Sequence, residues 1–257
     1  RGISTYIEAS AAGGFAPFDQ AHITWEKDGT ITLRTASHNH GQGHETTLAQ
    51  VVSSILGVPI ERMRLKTSEP DFFMVANPTG GSRTLLGIGS AMYNAAHEIV
   101  KNGMPLAADT LESAAADIEF ASGGYRIKGT DRPVSITVLA QKYPGKLDLD
   151  YRDRPKVPST YPNGCHIAEV EIEAETGEIE IASYVAVDDA GTIINHQIVE
   201  GQMQGGITQG AGHIFGEEAV YDRETGQLLS GTFMDYPMPR AILVNNLRGV
   251  GFPVATK

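Results

Sequence analysis

Three glycine-rich polar segments, each running into a helical pattern, constrain this 257-residue chain more than any other feature. They span residues 37–47, 77–84 and 200–210, and they hold side-chain amides, hydroxyls and imidazoles among the glycines. The first N–H groups of a helix have no partner within the helix, so a glycine-flanked turn at that point can bind an anion. We therefore predict that one or more of these segments binds a phosphate or a pyrophosphate.

The first segment lies between a strand pattern and a helix pattern. Residues 20–27 and 30–36 alternate as strands do, and Lys27-Asp28-Gly29 is typical of a hairpin turn. From Thr46 onward the apolar period becomes helical, and Gly57 with the proline that follows predicts the end of that helix. The predicted apolar face of the helix comprises Leu48, Val51, Val52, Ile55 and Leu56.

The rest of the chain alternates between strands and helices without a regular βαβ order. The patterns predict strands at 4–9, 63–67, 117–127 and 146–152 and helices at 85–100, 104–115 and 135–141. They also predict a hairpin of 168–173 with 179–181, which is apolar on one face and acidic on the other. We expect an α+β fold with mixed sheets and packed helices, forming one domain over residues 1–257 that can have two lobes. The third glycine-rich segment reads as helical, and each glycine there costs about 1 kcal/mol relative to alanine. Tight packing against another helix or a ligand is the expected compensation.

Composition excludes several classes of function. The net charge of −11, from 31 acidic and 20 basic residues, argues against a nucleic-acid or anionic-membrane surface. No apolar run approaches the roughly 18 residues of a membrane span. The single cysteine, Cys165, rules out an internal disulfide and favours a reducing, cytoplasmic compartment. Because Cys165 lies between a turn and a predicted strand, we expect a core residue rather than a nucleophile.

A histidine cluster in the first segment raises the question of a metal. His38, His40, His44 and Glu45 lie close together, and two imidazoles at a strand end can share one face. Such a site would suit a His-based metallohydrolase. The alternative is that these side chains form hydrogen bonds within the turn, and no second acidic cluster completes a site. We expect no direct metal ligand.

Other polar residues leave alternatives open. Asp188 and Asp189 are either a carboxylate pair or caps of a turn at a strand end. Arg83 in the second segment either pairs with a ligand phosphate or holds its own loop. Neither the G-x-G-x-x-G nor the G-x-x-x-x-G-K-[ST] pattern occurs at these segments, which argues against ordinary nucleotide hydrolysis.

At Gly41-Gln42-Gly43-His44-Glu45-Thr46-Thr47 the sequence resembles the molybdenum hydroxylase family, which includes xanthine dehydrogenase, aldehyde oxidase and the large subunit of aerobic carbon monoxide dehydrogenase, the type that it resembles most. The resemblance covers nearly the whole chain. Its further motifs are Gly81-Ser82-Arg83-Thr84, Asn163-Gly164-Cys165-His166, Asp188-Asp189-Ala190-Gly191, Glu200-Gly201-Gln202, Phe233-Met234-Asp235-Tyr236 and Pro239-Arg240.

The resemblance implies the second, C-terminal molybdopterin-binding domain of a large subunit that hydroxylates its substrate with water. It implies a molybdopterin cofactor, as the cytosine dinucleotide, whose dithiolene holds the molybdenum. The chain then supplies no metal ligand. The residues that match cofactor contacts of the family are Gln42, Gly43, His44, Thr46, Gly81, Ser82, Arg83, Thr84 and Gln202.

The resemblance also implies missing parts. The family uses a glutamate base in a Gly-x-Gly-Glu-like segment, whereas Gly249-Val250-Gly251 is followed here by Phe252. Because 253–257 resembles the strand before that segment, we expect the base just beyond Lys257 and no catalytic residue in this chain. Expected partners are the first molybdopterin-binding lobe and iron–sulfur and flavin subunits. The isolated chain is expected to be inactive; the alternative is a pterin-binding or assembly domain without catalysis.

Overall fold

The computed structural model describes residues 1–10, 16–67, 69–75, 77–154, 159–244 and 246–251, without the side chains of 250 and 251. The chain divides into two compact units. The central unit is Ala9–Thr160, and the terminal unit combines Arg1–Glu8 with Tyr161–Lys257.

Mixed strands and helices alternate along the described residues, which confirms the α+β prediction. The strands are β1 (Gly2–Ile7), β2 (Asp19–Trp25), β3 (Ile31–Thr35), β4 (Met63–Thr67), β5 (Ile118–Ala121), β6 (Gly124–Ile127), β7 (Pro133–Ser135), β8 (Leu149–Asp153), β9 (Asn163–Ile172), β10 (Ile179–Asp189) and β11 (Leu247–Gly251). The α-helices are α1 (His44–Leu56), α2 (Ser90–Leu111), α3 (Ile136–Lys142) and α4 (His196–Phe215).

The central unit is built on a four-stranded sheet with the order β4-β3-β2-β8. β3 and β4 are parallel, and the other two pairs are antiparallel. α1 and α2 pack against each other, and α2 also packs against β2 and β8. The core between them is mainly apolar, because the strand period of two and the helix period of 3.6 both place apolar side chains there. It includes Ile23, Ile31, Leu33, Leu48, Val52, Leu56, Met92 and Ile99.

α2 differs from the prediction. Separate helices at 85–100 and 104–115 are wrong: a π-helical turn at Leu85–Gly89 leads into one continuous helix that contains Pro105. Proline removes one backbone hydrogen bond of a helix. The helix continues because one face is buried along its length. Close to the proline, the Tyr125 hydroxyl donates a 2.9 Å hydrogen bond to the Val100 carbonyl.

The terminal unit contains a second four-stranded sheet with the order β1-β9-β10-β11. β1 runs antiparallel to β9, with Gly2 opposite Ala168, and β11 runs parallel to β10. Sequence patterns predicted a strand near β1 but not its partner, and they predicted nothing at β11. Residues 252–257, on which the expected position of the catalytic base depends, lie outside the described residues.

The predicted hairpin of β9 and β10 forms, with Ile172 opposite Ile179 and Val170 opposite Ile181. Its apolar face is, however, largely uncovered by described residues. Ile181 is only 6% exposed, whereas Val170 and Ile172 are 42% and 63% exposed. The alternation of the sequence therefore predicted the face correctly but not its burial.

No helix among the described residues is both long enough and apolar enough to cross a membrane.

Candidate functional site

The first glycine-rich segment forms an exposed loop between β3 and α1. Gly41 and Gly43 adopt φ values of +100° and +80°, a left-handed region that favours glycine. Gly43 is the N-cap residue of α1, and no side chain caps the helix there. A Cβ atom on Gly41 would meet nothing within 4 Å. The loop thus presents open backbone beside a helix N-terminus, the arrangement that suits an anion.

Gln42 is half-buried, and its side chain holds the loop together. Its Oε1 accepts a hydrogen bond from the backbone N–H of His40, and its Nε2 donates to the His38 carbonyl at 3.3 Å. Gln42 therefore shapes the first segment directly. A ligand can contact the Gln42 amide only if it shares or replaces these two hydrogen bonds within the loop.

His44 lies beneath the loop rather than on it. The residue is 5% exposed, and its Nδ1 is a buried atom without a hydrogen-bond partner among the described residues. Burial lowers the pKa of His44, against a smaller raising effect of Glu45. The imidazole is thus neutral near pH 7, whereas the next two residues, Glu45 and Thr46, are exposed at the start of α1.

The second segment forms a similar loop before α2. Gly81 and Ser82 adopt φ values of +59° and +53°, and a Cβ atom on Gly80 or Gly81 would meet nothing within 4 Å. Arg83 is half-buried, and both Ser82 and Arg83 already interact with other parts of the protein. The loop thus adds a second stretch of open backbone next to a cation.

A buried polar pair supports this loop from below. Asp19, 2% exposed, accepts hydrogen bonds at Oδ1 from the backbone N–H of Asn77 at 2.9 Å and from its Nδ2 at 3.3 Å. A Cβ atom on Gly87, in the π-helical turn, would lie 2.3 Å from Asp19 Oδ2. Sequence reasoning missed Asp19, since no motif connects it with a residue 58 positions later.

A chain of hydroxyl groups joins the two loops. Thr79 Oγ1 lies 2.8 Å from Ser37 Oγ and 3.0 Å from Thr84 Oγ1, and it donates to the His38 carbonyl at 3.2 Å. Ser37 is fully buried. The first and second segments are therefore one structural feature of the central unit, called here the paired loops (37–47 and 77–84).

The third segment lies on α4, in the terminal unit. Gln202 is exposed on this helix. Of the two expected compensations, packing by another helix or by a ligand, no described helix provides the first at the four glycines of this segment. A Cβ atom would meet no described atom within 4 Å at Gly201, Gly205, Gly206 and Gly210. Their backbone is open instead, so the face around Gln202 has room for a ligand or another chain.

The histidine cluster does not assemble as a metal site. The rings of His38 and His40 are stacked with centroids 6.3 Å apart, and the Glu45 carboxylate accepts a hydrogen bond from the Asn39 amide. Within the described part of the chain, no group of three or more His, Cys, Asp or Glu residues is placed to hold a metal ion.

The other polar residues that were possible site residues do not form a common site. Asp188 and Asp189 are neighbours in β10, so they point to opposite faces and form no pair. Asp189 Oδ1 accepts from the Gly191 N–H at 2.9 Å, the predicted turn role. Cys165 lies within β9, not ahead of a strand, and it is half-buried rather than a core residue.

A cavity of about 270 Å³ opens near the first loop, at the ends of β3 and β4. Arg34 and Lys66 line it, and both bind the Glu69 carboxylate, at 2.6 Å and 2.7 Å. No predicted site residue lines it. The paired loops therefore lie outside this cavity.

Comparison with known proteins shows the family to which the chain belongs. Residues 1–244 match the family model described as molybdopterin cofactor-binding domain. The chain is 32% identical to the carbon monoxide dehydrogenase large chain of Afipia carboxidovorans, over 94% of this chain and 32% of that protein. It is also 32% identical to the nicotine 6-hydroxylase large subunit of Paenarthrobacter nicotinovorans, over 93% of this chain and 32% of that protein.

The comparison with solved structures agrees with the comparison of sequences. A crystal structure of the Cu,Mo-CO dehydrogenase in its carbon monoxide reduced state superposes with a TM-score of 0.87 at 30% identity, covering 98% of this chain and 34% of that one. The chain spans about a third of the length of these relatives. The match over almost all of its residues shows that this chain belongs to the molybdopterin cofactor-binding domain family.

Proposed function

We propose that the chain is one part of the molybdenum-cofactor-binding large subunit of an oxidoreductase that hydroxylates its substrate with water. The observation that carries the proposal is the pair of loops. Gly41, Gly80 and Gly81 present open backbone, since a Cβ atom on any of them would meet nothing within 4 Å, and the hydroxyl chain through Thr79 holds the loops together. The uncapped start of α1 adds N–H groups that favour an anion.

These features fit a large anionic cofactor such as molybdopterin. We assign the phosphates to the backbone around Gly43 and Gly81, with the hydroxyls of Thr46 and Ser82 as further donors. Arg83 contributes positive charge close to the same loop. Thr84 acts through the hydroxyl chain, and His44 supports the turn from its buried position. When bound, the molybdenum cofactor supplies the two-electron redox chemistry of the reaction.

Gln42 and Gln202 are each assigned a polar contact with the cofactor, because each side chain offers an amide that both donates and accepts. We propose that the cofactor is the cytosine dinucleotide form. The chain supplies no metal ligand and no catalytic residue in this proposal, and the catalytic base is a glutamate beyond Lys257.

The partners in this proposal are the first molybdopterin-binding lobe and iron–sulfur and flavin subunits. The intact enzyme is proposed to be cytoplasmic, since the only cysteine is unpaired. Two relatives of the same 32% identity are named for carbon monoxide and for nicotine, so we assign no substrate.

The test compares two glycines of the central unit that share a left-handed φ and open surroundings. Gly41 has φ +100° and Gly145 has φ +75°, with nothing within 4 Å of either Cβ position. An alanine at positive φ is strained by about 1–2 kcal/mol. In Gly41→Ala the loop changes conformation to relieve this strain, so the affinity for the cofactor should fall about five- to thirtyfold, and the molybdenum and nucleotide content of the purified enzyme should fall with it. Gly145→Ala should retain both.

Equal retention in the two variants would rule out the paired loops as the cofactor site. Nucleotide release by acid, followed by chromatography, identifies cytosine or another base. A pterin-binding or assembly domain without catalysis is the second candidate. It predicts bound cofactor but no dye reduction with carbon monoxide, aldehydes or purines, even after the partner subunits are added. The isolated chain should show no turnover under either proposal.

A further inference from the structure

Four polar side chains from β1, β9 and β10 meet near the end of β10, and the proposed cofactor contacts do not use them. Tyr6 donates its hydroxyl to Asp188 Oδ1 at 2.9 Å, and His166 Nε2 lies 3.0 Å from the same oxygen. On the other side of the imidazole, His166 Nδ1 lies 3.0 Å from the Tyr184 hydroxyl. We call these four residues the strand-end cluster. It links β1, β9 and β10 through side chains, in addition to the backbone pairing of these strands.

The cluster depends on a glycine that leaves room for it. A Cβ atom on Gly164 would lie 2.0 Å from Asp188 Oδ1 and 2.7 Å from Tyr6 Cε1. Any other residue at 164 would push the carboxylate and the phenol ring away from their positions. The side chains of His166 and Asp188 are 21% and 16% exposed, so their hydrogen bonds are partly shielded from water.

α4 follows this strand in the chain, and few of its residues are buried against the rest of the unit. Only Ile207 and Gly212 are buried among its 20 residues. At its start, Asn195 Oδ1 accepts from the Ile198 N–H at 3.0 Å, and Met203 packs onto Gly249 of β11. α4 packs against β11, and residues 190–195 connect its first residue to the end of β10. Because α4 has little apolar burial of its own to fix it, the position of its first turns depends on where β10 ends as well as on this packing.

We propose that Tyr6, His166 and Asp188 are positioning residues that fix the end of β10 and thereby the first turns of α4, including Gln202. The inference rests on the proposed function, because Gln202 matters only if α4 lies against the cofactor. None of the three residues touches the cofactor in this proposal.

The chemistry of the cluster supports a fixed geometry. Burial, followed by the hydrogen bond to Asp188, raises the pKa of Tyr6 to about 12, so the phenol remains a donor at neutral pH. Burial and the charge of Asp188 also raise the pKa of Tyr184. One carboxylate oxygen thus receives two donors, and removal of either leaves a partly buried charge with weaker compensation.

Hydrogen exchange of the cofactor-free protein tests the local effect. Tyr6→Phe removes one donor and keeps the ring, and it should speed exchange of the amides at 196–202 about tenfold, the effect expected for one hydrogen bond to a charged group. Tyr161→Phe, at a 59% exposed tyrosine of the same unit, is the matched control. Ile181→Val, at a 6% exposed residue near the other end of β10, controls for general loss of stability.

Cofactor retention in the loaded enzyme tests the link to function. At equal loss of thermal stability, Tyr6→Phe and His166→Ala should release the cofactor several-fold faster than Ile181→Val. His166→Gln, which keeps a donor near the position of Nε2, should restore slow release. Faster exchange spread evenly over the terminal unit, or release no faster than in Ile181→Val, would overturn the inference. The proposed function is judged separately by Gly41→Ala, so its failure is distinguishable.

Discussion

Helices α2 and α4 are similar in length, at 22 and 20 residues, but they are held in different ways. α2 of the central unit buries nine of its residues, including Met92 and Ile99, whereas α4 of the terminal unit buries two. Burial of a large apolar side chain stabilises a fold by about 1.5–3 kcal/mol. α2 is therefore part of the core, and α4 depends on its end contacts.

Glycines in the two helices differ in the same way. Gly103 of α2 is needed for packing, because a Cβ atom there would lie 2.0 Å from the Tyr125 hydroxyl. Gly205 of α4 has no described atom within 4 Å of its Cβ position. A helical glycine thus allows close approach of a neighbouring residue in one helix and leaves backbone accessible in the other.

The largest contrast is expected from the same truncation in each helix. Ile99→Ala, at a fully buried position, should lower the free energy of unfolding by about 2–5 kcal/mol, because it removes packed methyl groups and leaves a cavity. Ile214→Ala, at a 78% exposed position of α4, should change it by no more than about 0.5 kcal/mol. Urea unfolding of the cofactor-free chain measures both, and a similar loss in the two variants would break the comparison.

Glycine-to-alanine substitutions in the two helices should change the stability of the chain in opposite directions. Gly103→Ala forces the Tyr125 ring away and weakens its hydrogen bond to Val100, at a cost of about 1–3 kcal/mol. Gly205→Ala should stabilise the cofactor-free chain by up to about 1 kcal/mol, since alanine is the better helix former and space is available. Thermal unfolding reports both shifts. A stability loss in Gly205→Ala would mean that α4 is packed more closely than the described residues indicate.

The smallest expected effect is the pH dependence that arises from ionisation of Tyr6 and Tyr125. The pKa of Tyr6 is raised to about 12, mainly by burial, whereas an unfolded tyrosine has a pKa of about 10. Its contribution to stability is fully present below about pH 10 and is lost as the pH rises to about 12. Burial also raises the pKa of Tyr125, in the central unit.

Tyrosinate absorption measures these ionisations. Tyr6→Phe should remove one step near pH 12, and the buried Tyr125 should ionise only when the central unit unfolds. In Asp188→Asn, Tyr6 should ionise at a lower pH than in the wild type, since the charge that opposes tyrosinate is removed. An unchanged titration in that variant would contradict the hydrogen bond between Tyr6 and Asp188.

Most local elements follow from sequence patterns. The end of α1 at Gly57 and the β2–β3 and β9–β10 hairpins occur as predicted, and the predicted apolar face of α1 is buried except at Ile55, which is half-buried. The resemblance of the motifs around Gln42 to molybdenum hydroxylases is confirmed at the level of the family. The cofactor contacts of the paired loops and of Gln202 stay predictions.

Periods, turns and motifs can be read from the sequence, because each depends on residues within a few positions of one another. Tertiary structure alone decided that β1 pairs with β9, that α2 continues through Pro105, and that Asp19 supports the second loop. Each of these depends on contacts between residues far apart in the chain, which no local window of sequence contains. The same reason separates α2 from α4: a helical pattern specifies a helix, but the surrounding chain decides whether its face is buried.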